Sequence, residues 1–433
     1  MENRSLSRVY WKNVVAAWSG WVMDGYVTSA YALVTVTVVS RLLMPPDFGL
    51  VGALFGLALI SVPRIFGSLI FGNFLGDRLG RRTMLTVTVV GFSLSSFLIG
   101  FLPTYKSYGI LATALLFFLL VLVGLFAGAE YGGGTALATE SVPAEKRGFI
   151  GSFVQSGFGI GYFVVTLVYI ILTIEYPGNA FETIGWRILF YTTLIPGIIA
   201  LVSRLGAKES PVFKDMKETK SIQKEPVVSM FRDAPKYVVL GIIICAGLLL
   251  VNSGTISFYP TVMESNSISI TTVGYILLVA NGISLVGVWI GGLLSNYIPG
   301  RRLALLIYSS IFLVSIYPLT ILGTSFHSIT DLYISYSVQS FLMAAIFSTL
   351  PSFLAESISK KFRTTGIGFI YNFGGAIGGF APLFIELVIP HYGTFNSWIL
   401  VLFVATLALL VAIILSKETW SKSKSGQKDS ITE

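Results

Sequence analysis

The chain has 433 residues, of which 54% are hydrophobic and only 12% charged, against about 25% charged in an ordinary soluble domain. So little polar surface excludes a soluble globular enzyme, and no alternation of period two marks the strands of a membrane barrel. The formal net charge of +8 is confined to alternate loops, so it reports orientation in a membrane rather than a nucleic-acid ligand.

At the N-terminus, Met1-Glu2-Asn3-Arg4-Ser5-Leu6-Ser7-Arg8 leads straight into a full-length apolar run, without the short apolar core and small-residue cleavage site of a signal peptide. Runs of about 20 apolar residues are long enough to cross a bilayer as helices. They predict twelve spans, at roughly 12–40, 46–75, 83–103, 107–140, 148–174, 185–205, 235–262, 270–296, 302–323, 328–357, 364–389 and 395–416. All but four of the 29 Lys and Arg fall on alternate segments, among them Arg78, Arg81 and Arg82, Lys146 and Arg147, eight from Arg204 to Lys236, Arg301 and Arg302, and Lys360, Lys361 and Arg363. The exceptions are Arg41 and Lys106 in the intervening loops and Arg64 and Arg187 within spans. The positive-inside rule puts the basic segments, and with an even span count both termini, in the cytoplasm of a cell-membrane protein.

Residues 206–234, the longest polar stretch, are expected as a cytoplasmic connector between an N-terminal six-helix half (1–205) and a C-terminal one (235–416). Residues 417–433, rich in Ser and Lys, are expected as a disordered tail. The single cysteine, Cys245, and the two histidines, His327 and His391 in outer loops, supply no metal-ligand set, and no cofactor is expected. No phosphate-cradling loop of the Gly-x4-Gly-Lys-Ser/Thr kind is present, which excludes an ATP-driven pump within this chain.

The chain repeats itself. After the second span stand Gly72, four residues, and Asp77-Arg78-Leu79-Gly80-Arg81-Arg82; after the eighth, 220 residues on, stand Gly292, four residues, and Tyr297-Ile298-Pro299-Gly300-Arg301-Arg302. Glu140-Ser141-Val142 with Arg147 is matched by Glu356-Ser357-Ile358 with Arg363 at an offset of 216. Two matches at nearly one offset indicate parallel repeats of six helices each. The first loop resembles the signature of the major facilitator superfamily, and the likeness covers the whole chain in span count, repeat and topology. More narrowly, five segments are similar to its sugar-transporter-like branch, especially the metabolite:proton symporters. They are Arg64-Ile65-Phe66-Gly67-Ser68; Gly128-Ala129-Glu130-Tyr131-Gly132-Gly133 followed by Glu140, Pro143, Arg147-Gly148 and Gln155; Trp186-Arg187; Glu209-Ser210-Pro211; and Tyr371-Asn372.

The resemblance implies an all-α membrane protein of twelve transmembrane helices in two pseudo-symmetric six-helix halves, carrying a small molecule by alternating access. It assigns Gly72, Asp77, Arg78, Gly80, Arg81 and Arg82 to a latch that holds the outward-open state. Glu140 and Arg147 are expected in the same cluster, with Glu356 and Arg363 as second-half counterparts. Without the family, the same charges read as positive-inside residues and helix caps. Two departures stand out. Leu120 occupies the place of an arginine early in the fourth span, which weakens the carry-over of that arginine's part in proton release, and Tyr297 replaces the acid of the second signature loop.

A charge at mid-bilayer costs about 2.5–3.5 kcal/mol on insertion scales, so it needs a partner or a water-filled cavity. Asp24 is 12 residues from Lys12, Arg64 is 13 from Asp77 and Glu130 is 10 from Glu140. At 1.5 Å per residue all three stand about 15–20 Å from the basic ends, near one depth. Burial disfavours a charged carboxyl, so Asp24 and Glu130 are candidate proton carriers. Arg64 either neutralises them or clamps a substrate carboxylate. A static ion network that fixes helix register is the bland alternative.

Arg187 and Glu386 are expected near the outer surface. Tyr26, Gln155, Asn252, Tyr259, Asn281, Gln339, Tyr371 and Asn372 are candidate substrate contacts, though interhelical hydrogen bonding also accounts for such polar residues. Asn252-Ser253-Gly254 ahead of Tyr259-Pro260 predicts a broken helix, and Gly124, Gly128 and Gly132 at spacing four predict close helix packing.

The leading reading is a proton-coupled symporter of a small organic solute, with a carboxylate favoured by Arg64. Its partners are the substrate, protons and the lipid bilayer, and it is expected to be monomeric. Sugars, polyols, zwitterions and phosphate stay open as substrates, and facilitative uniport as a mechanism. An intramembrane enzyme, against which the repeated gating loops argue, or a channel is the alternative of a different class, and saturable uptake driven by a pH gradient distinguishes a transporter from either.

Overall fold

The computed structural model describes residues 2–259, 262–263, 268, 270–324 and 328–420; the expectations for Pro260, His327 and the chain from Ser421 onward fall outside them. Among the described residues all regular structure is helical, because a backbone in lipid must satisfy its hydrogen bonds within the segment. Helix α1 (Glu2–Val34) continues with π-helical winding over Thr35–Leu43. The second span is split into α2 (Gly49–Ser61) and α3 (Pro63–Phe71) at a proline, whose missing N–H suits a first helical turn. Next come α4 (Arg81–Ile99) and a fourth span broken into α5 (Ile110–Ala127) and α6 (Glu130–Glu140). Helix α7 (Arg147–Glu175) follows, then α8 (Trp186–Tyr191) and α9 (Leu194–Gly206), which together make the sixth span.

The connector forms two short helices, α10 (Pro211–Glu218) and α11 (Pro226–Asp233). The rest are α12 (Pro235–Asn252), α13 (Ile270–Ser295), α14 (Arg301–Thr324), α15 (Ile329–Ser357), α16 (Arg363–Gly378) and α17 (Ala381–Leu415). The break expected in the seventh span is present as a change of winding. Helix α12 ends at Asn252 and Ser253–Ser257 is π-helical, with Trp398 Nε1 donating to the Gly254 carbonyl at 2.6 Å.

Ten helical stretches among the described residues are long and apolar enough to cross a bilayer, eleven when the bent first pair is one crossing. One stretch, Lys360–Leu415, has 56 residues and would measure about 84 Å, near three times a hydrocarbon core of about 30 Å. Gly393, at φ 74° within α17, breaks it into the last two crossings. The fold is therefore the twelve-helix, two-half arrangement. Large apolar side chains such as Phe118, Ile174, Val314 and Leu387 are exposed, as lipid-facing residues are.

Two compact units are present. The first holds the chain to Ser141, then Ser156–Val228 and Lys360–Asn372; the second holds Val142–Gln155, Ser229–Ser359 and the chain from Phe373. Each unit thus contains the first turns of one helix whose remainder belongs to the other, and the two segments are 217–218 residues apart, the period of the repeat. Tyr31, Phe92, Trp186 and Phe190 are fully buried in the first unit, and Tyr259, Phe312, Tyr336 and Trp398 in the second.

The expected disordered tail is corrected at its start. Glu418 accepts from the backbone N–H groups of Arg302 (3.0 Å) and Leu303 (3.2 Å), and the Trp420 ring packs 4.5 Å from the Arg301 guanidinium.

Candidate functional site

Asp24, on α1, is fully buried and Arg64, in the first turn of α3, nearly so. Arg64 Nη1 donates to Asp24 Oδ2 at 2.8 Å and Nη2 donates to Oδ1, a two-pronged fork. Thr28, one turn along α1, accepts from Arg64 Nη2 at 2.9 Å and donates to Asp24 Oδ1 at 3.1 Å. The pair sits where the α2–α3 break places Arg64 directly after Pro63.

Glu130 is not the third member of this group. It opens α6 and is bound by Arg204 of α9, with Nη1 3.1 Å from Oε1 and Nη2 2.5 Å from Oε2, while Thr88 Oγ1 of α4 donates to Oε1 at 2.6 Å. Arg204 also donates to the Leu85 carbonyl. A Cβ on Gly20 would stand 2.6 Å from Glu130 Oε2, so the bare backbone of α1 closes the remaining side. The expected trio is thus two separate pairs. Arg204, counted above among the loop charges, is 1% exposed. The signal was there, since Arg204 has Ile198-Ile199-Ala200-Leu201-Val202 on one side and Leu205 on the other.

The signature loop builds a third cluster. Both oxygens of Asp77 accept from the start of α16: Thr364 N at 3.2 Å, Thr365 N at 2.9 Å and Thr365 Oγ1 at 2.7 Å. A carboxylate at a helix N-terminus satisfies orphan N–H groups and meets the positive end of the dipole. Burial pushes the Asp77 carboxyl above its ordinary range, opposed by Arg81 and these three donors. Gly72 and Gly76 admit α16, since a Cβ on either would stand 3.0 Å or less from Thr365 or Thr364. Glu140 binds Arg81 at 3.4 Å and Arg363 at 3.0 Å and accepts from Ser210 Oγ. Glu209 caps α4 through Arg81 N and Arg82 N, at 3.0 and 3.2 Å, and Gly80 turns into that cap at φ 126°. The Arg82 side chain donates to the carbonyls of Arg204 (3.3 Å) and Leu205 (3.0 Å).

The second unit repeats most of this. Glu356 lies 3.8 Å from Arg301 and accepts from Thr419, Glu418 caps α14, and Arg302 donates to the carbonyls of Ile413 and Ile414. Glu209-Ser210 and Glu418-Thr419 are therefore a third internal match, masked in the sequence because the second copy falls in a Ser/Lys-rich segment. Two expectations for this cluster are corrected. Arg78 stacks on Phe74, 5.0 Å from the ring centre, and its Nε has no hydrogen-bond partner among the described residues. Arg147 starts α7 in the second unit, where its carbonyl accepts from Ser352 Oγ at 2.5 Å.

The candidate substrate contacts divide. Tyr26 bonds Thr192 at 2.7 Å. Tyr259 donates to Gln339 Oε1 (2.6 Å) and Gln339 Nε2 to Thr320 (3.1 Å), all three fully buried between helices. Asn372 Nδ2 donates to the carbonyls of Gly128 (2.7 Å) and Gly368 (2.8 Å), and Tyr371 stacks on Tyr131. Tyr259, Gln339, Tyr371 and Asn372 thus all make contacts between helices. Asn252 and Asn281 are half-buried, and Gln155 Oε1 is buried without a partner among the described residues. Glu386 is exposed on α17. Arg187, expected in an outer pair, instead donates to the carbonyls of Gly100 (2.8 Å) and Leu102 (2.7 Å) beyond the end of α4.

Comparison with known proteins places this architecture. The description "Major Facilitator Superfamily" matches residues 17–326. The chain is 28% identical over 423 residues to the inner membrane metabolite transport protein YhjE of Escherichia coli, covering 95% of each. It is 28% identical over 435 residues to the proline/betaine transporter of Escherichia coli, covering 96% of this chain and 85% of that one. Among solved structures, the proton:xylose symporter XylE from E. coli, bound to 6-bromo-6-deoxy-D-glucose, superposes with a TM-score of 0.79 at 17% identity, over 96% of this chain and 97% of that one. The family match spans most of the sequence and the fold match nearly all of it, so the chain belongs to the Major Facilitator Superfamily and is a multi-pass membrane transporter rather than an enzyme.

Proposed function

We propose that the protein is a proton-coupled symporter of a small organic solute bearing a carboxylate, monomeric and working by alternating access, with its basic loops and both termini in the cytoplasm. The closed fork between Arg64 and Asp24 carries this reading. A guanidinium takes a carboxylate in a two-pronged grip, and here that carboxylate is the protein's own. Protonating Asp24 removes its charge and frees the fork for the carboxylate of a solute, so proton and solute load together. Loss of the proton on the far side re-forms the internal pair and displaces the solute. The proline/betaine relative supports this class, since proline and betaine both carry a carboxylate. Glu130, closed in by Arg204, Thr88 and Gly20, is assigned to holding α1, α4, α6 and α9 together.

The test is uptake into proteoliposomes under an imposed pH gradient, with simple carboxylates, amino-acid zwitterions and neutral sugars as probes. Carboxylate-bearing probes should accumulate, and Arg64→Ala should raise their KM more than that of any neutral probe. Accumulation of sugars alone would overturn the carboxylate assignment, and indifference to the pH gradient would overturn proton coupling.

Orientation is tested separately. With a cysteine at Tyr105 or at Gln223, an impermeant maleimide added outside sealed cells should label the first and not the second. External labelling at Gln223 would reverse the topology.

Asp77 is the proposed latch. Asp77→Asn removes the charge that caps α16 and should weaken closure of the basic side by about 1–2 kcal/mol. Net uptake should slow while solute affinity moves by less than about tenfold. Uptake at the parental rate would show that the cap does not gate.

A further inference from the structure

Helix α16 passes from the first unit to the second between Asn372 and Phe373. Thr364 and Thr365 form the latch with Asp77, but contacts continue along the same helix for two more turns. The Tyr371 ring stacks on Tyr131 of α6, with centroids 3.6 Å apart and planes 20° apart. Trp21 of α1 packs against both rings, at 4.9 Å from Tyr131 and 5.8 Å from Tyr371, and Phe158 of α7 covers it at 5.5 Å. Trp21, Tyr131 and Tyr371 are all buried.

Beside the stack, Asn372 Nδ2 reaches the Gly128 carbonyl at 2.7 Å. Gly128 lies at the interruption between α5 and α6, where the helical ladder leaves an acceptor to be satisfied. A Cβ on Gly128 would stand 2.1 Å from the Arg64 carbonyl, and one on Gly132 would stand 2.3 Å from the Thr364 carbonyl. The interrupted span is thus pressed between the backbone of Arg64 on one side and α16 on the other.

The level of this layer follows from helix rise. Tyr371 is seven residues beyond Thr364, and Tyr131 is nine residues before Glu140, so the layer stands about 10–14 Å from the latch toward mid-membrane. Trp21 precedes Asp24 by three residues, which puts the layer about 4–5 Å to the basic side of the Asp24–Arg64 pair.

We infer that Trp21, Tyr131, Tyr371 and Asn372 form a second closed layer of the gate, between the signature-loop latch and the Asp24–Arg64 pair, and that Tyr371 and Asn372 are positioning residues rather than solute contacts. A solute leaving the pair toward the basic side must pass this layer. Passage requires the Tyr131–Tyr371 stack to part and Asn372 to leave the Gly128 carbonyl. Because Gly128 rests on Arg64, movement of α16 and movement of the fork are mechanically joined. The inference rests on alternating access and is independent of the proton and carboxylate assignments.

The test needs no solute. In a Cys245→Ser background, a cysteine at Thr28 is labelled by an impermeant maleimide, from the basic-loop side in inverted vesicles and from the opposite side in right-side-out vesicles. Tyr371→Ala and Asn372→Leu should each raise labelling from the basic-loop side about threefold or more and lower it from the opposite side. Tyr371→Phe, which keeps the stack, should match the parent. A general loosening of the fold would raise labelling on both sides, and that result, or no change, overturns the gate. Asp77→Asn serves as the reference. If it gives the reciprocal shift and the two layer variants do not, the second layer is refuted while alternating access stands. If no variant shifts accessibility reciprocally, both are refuted.

Discussion

An Asp24→Asn variant should exchange solute across the membrane but fail to accumulate it against a gradient. The amide keeps the shape of the protonated acid and can never re-form the charged fork, so Arg64 stays available to a solute carboxylate in every state. Exchange needs no net proton movement and survives. Accumulation needs a proton released on the inner side, which an amide cannot supply, so the ratio reached under an imposed pH gradient should fall to the equilibrium value. The measurement pairs counterflow with gradient-driven uptake in the same proteoliposomes. Full gradient-driven accumulation by Asp24→Asn would remove the acid from the coupling pathway and leave a uniporter or a carrier coupled to another ion. Arg64→Ala should fail differently, with binding itself impaired, because it takes away the group that holds the anion and leaves Asp24 buried without a counter-charge.

Glu130→Gln should cost stability rather than coupling. Removing one partner of a buried ion pair leaves the other charge uncompensated, at about 3–5 kcal/mol, whereas replacing both by apolar residues of similar volume is often neutral. Arg204 would keep the Leu85 carbonyl and one amide oxygen but lose its counter-charge. Thermal unfolding in detergent should therefore show a large loss for Glu130→Gln and recovery of most of it in the double variant Glu130→Met with Arg204→Met, with gradient-driven uptake restored alongside. A Glu130→Gln protein of parental stability that has lost only accumulation would return Glu130 to the proton pathway.

The two acids look alike in sequence, each within an apolar span, Asp24 12 residues from Lys12 and Glu130 10 from Glu140 at the basic side. What separates them is the neighbour each meets. Asp24 meets Arg64, 40 residues away, and Thr28 one turn along its own helix, whereas Glu130 meets Arg204, 74 residues away, Thr88 of α4 and the bare backbone of α1 at Gly20. Arg204 reads as a loop charge in the sequence because one arginine at the end of a span satisfies the positive-inside pattern whether its side chain enters the loop or turns back into the bundle.

Several features were legible from the chain alone. The helices, their number, the loop that carries the signature and the parallel repeat follow from apolar run length and from residues recurring at 216–220. Lipid admits few other structures, and depth along a helix can be counted at 1.5 Å per residue from a charged loop. The tertiary structure alone decided which charges meet. Asp77 reaches residues 287 and 288 positions away, Glu140 one 223 away, and Asn372 one 244 away. It also decided that the first turns of α7 and α16 join the opposite units. Depth is a property of one helix and can be read along it, but a partner is a property of two, set by where glycines such as Gly72, Gly128 and Gly132 let one backbone approach another.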